Sequence, residues 1–284
     1  MRLPDSFVLE LRGLIEPLCR PTGFIGKSEL DGIIGKAARV AFVVPMAKPF
    51  VAGLWGGLYA AIKESNFGVY SAPPGCVPCR RLCYAASWVR ALLSDEETCP
   101  LRLERLVGPG IPQAVSPGGW SIEFDASIYG GGAVLRNPDR EVVEYFSIVW
   151  TGDEAKHLRV VPGECRHQTF WEYATLLLCL MTWGDQFIKE AVLVVGDNTA
   201  SLSNALSLKG RGELLAVSRE LSWRQARRRW QFSVGHLPSE HNVVADALSR
   251  RTDPKGVPWP SLALRSAAFK APPNLRDVWL SHPR

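Results

Sequence analysis

A chain of 284 residues is long enough for two modest domains or one large one. Its 46% hydrophobic and 21% charged content is ordinary for a soluble globular protein, and a net charge of +5 permits a polyanionic partner without requiring one. The seven cysteines are odd in number, scattered and mostly set in apolar runs, which argues against a secreted disulfide framework and for reduced thiols. The opening MRLPDSFVLELRG carries acids in its first turns and no long apolar core, so it does not read as a signal peptide. The apolar stretch from Tyr173 to Trp183 is too short to span a bilayer. The expectation is a soluble intracellular protein of the cytoplasm or nucleus, with no membrane partner.

Residues 1–107 are helix-patterned. Leu9, Leu11, Leu14, Ile15 and Leu18 recur at helical spacing, and a second helix starting near Ser28 would carry Leu30, Ile33, Ile34 and Ala37 on one face. A third helical stretch over 50–62 is weakened by Gly53, Gly56 and Gly57. Two shorter helices are expected over 82–93 and 101–107. Residues 108–119 form a Pro/Gly-dense linker that marks a domain boundary.

Beyond the linker the pattern turns extended. Residues 120–125, 130–135 and 141–149 read as three strands with short turns, an antiparallel meander. A buried helix over 170–183 and a short apolar strand over 191–195 follow. Helices over 199–208 and 212–228, a strand over 230–234 and a last helix over 242–250 complete the series. This order implies a mixed five-stranded sheet flanked by helices, an α/β domain over 120–251. The Pro-rich tail, 252–284, lacks periodicity and is expected to be extended or disordered.

Four acids fall at the ends of these elements: Asp125 at the end of the first strand, Glu172 in the first turn of the buried helix, Asp197 after the apolar strand and Asp246 in the last helix. Carboxylates so placed can converge at one sheet edge. Two such charges about 4 Å apart repel by roughly 4 kcal/mol at an effective dielectric near 20, so a cluster persists only with protons or cations. An all-oxygen site suits Mg²⁺ or Mn²⁺ rather than zinc, and two ions together suit phosphodiester hydrolysis. Taken singly, an Asp after a strand is more often a turn or cap residue, and a Glu early in a helix usually complements its dipole. Spacing alone does not establish the site.

Two motifs go further. Phe124-Asp-Ala-Ser127 followed by 130–135 resembles the "DAS…GxGAVL" opening of the ribonuclease H (RNase H) domain of retrotransposon polyproteins, and 235–250 resembles the family's "H-x-P-x-x-x-N-x-x-A-D-x-L-S-R" signature. Trp171-Glu172, with Ala174 and Trp183, resembles the Glu-bearing helix, and Asp197-Asn-Thr-Ala-Ser201 the "DN(T/S)A" step. Upstream, 29–36 and 43–50 with Leu54 resemble the thumb or connection region of gypsy-like and DIRS-like reverse transcriptases.

The resemblance implies an RNase H-like fold and an endonuclease that cuts RNA in RNA/DNA hybrids with two Mg²⁺ or Mn²⁺ ions. Asp125 would bridge both metals, Glu172 and Asp197 would complete one shell, and Asp246 would hold the other ion. Glu172 would also sense the RNA 2′-hydroxyl. His236, in a mobile loop before the last helix, would assist proton transfer or product release. Asn198 and Asn242 would contact substrate, Asn242 alternatively steadying a water or the backbone. Other parts of a retroelement polyprotein would be partners. The chain contains no Asp-Asp pair, so no polymerase activity is expected.

Arg227 and Arg228, within a basic stretch between Trp223 and Trp230, read either as phosphate contacts or as a solvated helix end favourably charged for the dipole. Cys76, Cys79 and Cys83 lack the fourth ligand of a zinc site at finger spacing. Gly130-Gly-Gly132 is not a phosphate loop, because no Lys-Ser/Thr follows it. The alternative is a non-catalytic remnant or nucleic-acid-binding module, favoured by the missing palm and by a glycine where the family often has an aromatic before Gly132-Ala133.

Overall fold

The structure, a computed structural model, describes residues 3–68, 71–94, 119–152, 160–188 and 190–275. The chain forms two compact units. The expected helix over 101–107 and most of the linker lie outside the described residues.

Among the described residues, the N-terminal unit is built on four α-helices, α1 (Asp5–Ile15), α2 (Lys27–Val43), α3 (Lys48–Asn66) and α4 (Cys83–Leu93). In α1 the buried face is Val8, Leu11 and Ile15, continued by Leu18 in the following 3-10 turn. Leu9, expected on that face, is 65% exposed, because helical geometry places it on the flank. All four apolar residues expected on α2 are buried, and the helix runs on to Val43. Phe50 of α3 stacks on Trp88 of α4 at 5.0 Å.

The glycines that weaken α3 as an isolated helix have a packing reason. A Cβ at Gly57 would lie 2.4 Å from Leu82 Cδ2, so its absence admits the start of α4. Two short strands escape the helical pattern. β1 (Phe24–Gly26) and β2 (Cys76–Pro78) pair antiparallel, and three-residue strands give too few alternations to be seen by period.

The C-terminal unit is an α/β sheet domain with its long elements close to the expected ranges. Strands β3 (Ser121–Ala126), β4 (Gly130–Arg136) and β5 (Val142–Val149) form the meander. Helix α5 (Gln168–Trp183) follows, then β6 (Val192–Gly196), α6 (Thr199–Ser207), α7 (Glu213–Arg228), β7 (Phe232–His236) and α8 (Val243–Ser249). The sheet order is β7-β6-β3-β4-β5-β8, with β3, β6 and β7 mutually parallel. The sixth strand, β8 (Ala268–Phe269), comes from the Pro-rich tail and pairs parallel with β5. Described tail residues are therefore held on the domain instead of hanging free. Leu264 and Leu275 are buried, two anchors too far apart to register as a period.

Alternation along the strands divides the core between two faces. Ile122, Phe124, Ala133, Leu135 and Phe146 join α5 in the main core, while Val134 and Val142 join Leu248 of α8. The glycine run in β4 serves this double packing. A Cβ at Gly132 would lie 2.4 Å from Leu248 Cβ and 2.5 Å from Ser249 N. A Cβ at Gly131 would lie 3.0 Å from the Trp150 ring, which stacks on Trp171 at 4.5 Å. Thr175 Oγ1, at 2.6 Å, and Trp150 together leave no room for a side chain at position 131.

A paired substitution tests the packing reading. Gly132→Ala should destabilise the C-terminal unit by about 1–3 kcal/mol through overpacking against α8. Gly35→Ala, in α2 with nothing within 4 Å of the new methyl, should stabilise the N-terminal unit by about 0.5–1 kcal/mol. Urea denaturation of the two variants reads both signs.

Candidate metal centre

The site grows from the parallel core of the sheet. Because β3 and β6 run parallel and adjacent, the end of β3 carries Asp125 and the residue after β6 is Asp197. Helix α5 then brings Glu172 to the same place. Ligand oxygens of Asp125, Glu172 and Asp197 all lie within 4.8 Å of one another. Asp125 is 5% exposed and Glu172 is 2% exposed. Glu172 falls in the second turn rather than the first, because α5 starts at Gln168.

Each carboxylate is held by a neighbouring side chain, two of them supplied by the 235–250 signature. Ser249 Oγ lies 2.5 Å from Asp125 Oδ2. Gln168 Nε2 donates to Glu172 Oε1 at 3.1 Å and also to the Ala126 carbonyl. Ser239 Oγ donates to Asp197 Oδ2 at 2.6 Å. These three helpers were not singled out in the sequence. Gln168 precedes Glu172 by one helical turn, and Ser239 and Ser249 lie inside the 235–250 signature, which are the signals that would have found them.

Burial, first of all, raises the Asp125 carboxyl from 3.8 to about 7, with the nearby charges of Asp246 and Asp197 adding to it and the Ser249 bond opposing it. Burial likewise pushes Glu172 well above the usual carboxylate range, reinforced by Asp125 and Asp197. Glu172 Oε2 is buried with no hydrogen-bond partner. An all-oxygen cluster with an orphaned buried carboxylate oxygen is compatible with a divalent metal ion.

Asp246 stands outside this group of three. It is close enough to act on Asp125 electrostatically, and its Oδ1 accepts from Arg250 Nε at 2.6 Å. His236 is exposed and is the last residue of β7, paired with Gly196, so it sits on a strand end and not in a mobile loop. Asn198 caps α6, accepting from Ser201 N at 3.0 Å. Asn242 is 1% exposed and its Nδ2 donates to the Phe124 carbonyl at 2.8 Å, so its side chain steadies the backbone beside Asp125.

The two arginines lie elsewhere. Arg228 Nη1 is 3.1 Å from Asp185 Oδ2, and Arg227 sits 5.3 Å over the Trp223 ring. Asp185 follows α5, about 20 Å from Glu172 at 1.5 Å per helical residue. The reason is topological: α7 feeds the start of β7, whereas the carboxylates gather where the parallel strands end.

No model of a protein family matches the chain, and no curated protein matches it. Among solved structures it is similar to LC11-RNase H1 isolated from compost, at 19% identity and a TM-score of 0.37, over 49% of this chain and 97% of that one. It is also similar to the foamy viral protease-reverse transcriptase dRH in complex with double-stranded DNA, at 14% identity and a TM-score of 0.28. That match covers 80% of this chain and 35% of the viral one, so the chain spans about a third of its length. The fold assignment rests on the strand order and helix placement described above, which are those of a six-stranded mixed sheet flanked by helices.

The raised carboxyls fix the sign of a pH effect. The folded protein keeps protons that the unfolded chain releases, so the stability these groups contribute is full below the ordinary value of 3.8 and is lost as pH rises through about 7. The Tm of the metal-free protein should therefore fall between about pH 5 and about pH 8, and millimolar Mg²⁺ should restore it at the upper end. Ser249→Ala removes the bond that favours ionised Asp125, and should move the midpoint of this fall upward. Calorimetric scans across pH check both.

Proposed function

We propose that the C-terminal unit is a divalent-metal-dependent endonuclease that hydrolyses the RNA strand of RNA/DNA hybrids, derived from a retroelement reverse transcriptase. The observation that carries this reading is the convergence of Asp125, Glu172 and Asp197 from two parallel strand ends and a helix, with two of the three buried and one carboxylate oxygen unpartnered. Burying two acids side by side is costly, and Arg250, paired with Asp246, offsets it only from a distance.

In this reading Asp125, Glu172 and Asp197 would hold one ion, and Asp125 with Asp246 a second. When bound, such ions polarise the phosphodiester and lower the pKa of the attacking water. Arg250 would restrain Asp246 through the bond to its Oδ1. Asn242, by fixing the Phe124 carbonyl, would keep Asp125 in place as charge develops. His236, exposed beside Gly196 and one residue from the level of Asp197, would deliver a proton to the leaving oxygen. Glu172 would also accept from the RNA 2′-hydroxyl, which distinguishes RNA from DNA. Asn198 would reach the substrate with its side-chain amide N–H or its backbone, since its Oδ1 caps α6. Arg227 and Arg228 would serve a distant part of a long duplex.

No helix among the described residues is long and apolar enough to cross a membrane. The glycine at 131, weighed in the sequence as favouring a non-catalytic remnant, lies against Thr175 and Trp150, where a Cβ would clash.

A labelled RNA/DNA hybrid incubated with Mg²⁺ should be cut in its RNA strand. Asp125→Asn should slow cleavage by at least about a hundredfold, a loss of several kcal/mol of metal-dependent stabilisation, while keeping hybrid binding. Binding without cleavage by the wild type would instead identify a nucleic-acid-binding module, and equal cleavage of duplex DNA would sink the RNA selectivity.

A further inference from the structure

Asp246 rides on α8, a helix of seven residues, a length at which a helix has no stability of its own in water. Side chains from the sheet hold its ends. Asn242 ties the N-terminus to the Phe124 carbonyl at 2.8 Å, while Ser147 Oγ and Ser127 Oγ donate to the carbonyls of Leu248 and Ser249, each at 2.8 Å. The two serine bonds satisfy carbonyls at the C-terminal end of the helix and Asn242 tethers its start, but they leave the apolar side chains of Val244 and Leu248 to be covered.

The chain beyond the last motif covers them. Leu264 is 7% exposed and packs in a cluster with Leu248, Val134 and Val142, with Val244, Tyr145 and Ala267 around it. The segment then joins the sheet as β8, with Lys270 N donating to the Tyr145 carbonyl at 2.8 Å. The Tyr145 ring makes edge contacts with Trp259 at 6.3 Å and Phe269 at 5.6 Å, and Arg251 lies 5.8 Å over Trp259. Leu275, 2% exposed, ends in the main core, the one shared with α5. The segment therefore crosses the β5 edge and is anchored on both faces of the sheet.

We propose that residues 252–275 are a strap that holds the Asp246 helix against the sheet, and that Leu264 is a positioning residue for Asp246. The link from α8 to a metal rests on the carboxylate reading above; the mechanical link from strap to α8 does not. A residue that merely adds stability would lower the Tm without selecting α8 or the metal. A strap for Asp246 affects both.

The test compares full-length Leu264→Ala with Leu221→Ala, a cavity of the same chemistry in the main core on α7. Amide hydrogen exchange and Mn²⁺ affinity by electron paramagnetic resonance are the two readouts. Leu264→Ala should speed exchange of the α8 amides at least about tenfold relative to those of β6, and should weaken Mn²⁺ binding at least about threefold. Leu221→Ala should do neither selectively. Trp259→Ala, on a residue 41% exposed, should give the same pattern at smaller amplitude and keeps the test open if Leu264→Ala does not fold. Wild-type exchange in α8, or equal loosening by both cavities, would overturn the strap. Loosened α8 with unchanged Mn²⁺ affinity would overturn the positioning role. A wild type that binds no Mn²⁺ would refute the carboxylate reading and the positioning role together, and the exchange arm would still decide the strap.

Discussion

Burying Asp125 and Glu172 beside Asp197 is the constraint from which the rest of the C-terminal unit follows. Two carboxyls at 5% and 2% exposure lose most of their hydration, and their mutual repulsion is strengthened by the same low dielectric. Protons relieve the strain when no cation is present, which is why Asp125 is pushed up to about 7. A cation relieves it without neutralising the ligands. The surrounding polar groups divide between these tasks: Ser249, Gln168 and Ser239 each occupy one carboxylate, whereas Glu172 Oε2 is left unpartnered.

Such a cluster needs backbone that does not give way. Adjacent parallel strands supply two of the acids at one sheet end, and α5 supplies the third through a helix whose residues from Phe170 to Leu180 are all buried. On the other face, α8 approaches β4 so closely that only glycine fits at 132. The short helix gains its order from that contact, from four hydrogen-bonding side chains of the sheet and the helix flanks, and from the tail that covers it. Precision at Asp125 and Asp246 is thus a property of several segments distant in sequence.

The long elements of this unit were readable from period and turn chemistry, since β3, β4, β5 and α5 each carry enough alternation or helical repeat to declare themselves. The grouping of Asp125, Glu172 and Asp197 was readable only through the motif resemblance, because each acid alone looks like a cap or turn residue. What the sequence hid was non-local. Gly131 looked like a missing aromatic, whereas Thr175 and Trp150, both distant in sequence, leave no room for a Cβ there. Asn242 read as a substrate contact or as a steadying group for water or backbone, and its Nδ2 donates to the Phe124 carbonyl, a partner far away in sequence. Arg227 and Arg228 read equally as phosphate contacts or as a solvated helix end, and the direction of α7 sets them away from the carboxylates, beside Asp185 and Trp223. Residues 252–275 have no period because two anchors and a two-residue strand hold them, and tertiary contacts of that kind leave no repeat to detect.

The central claim is that the buried carboxylates form a cation site, and metal binding with its proton release tests it most directly. Titration calorimetry of Mn²⁺ into the wild type near pH 7, in two buffers of different ionisation enthalpy, should show binding accompanied by release of protons from Asp125 and Glu172. Both the affinity and the proton release should be largely lost in Asp125→Asn and in Glu172→Gln. Absence of binding, or binding of equal strength in all three proteins, would contradict the account.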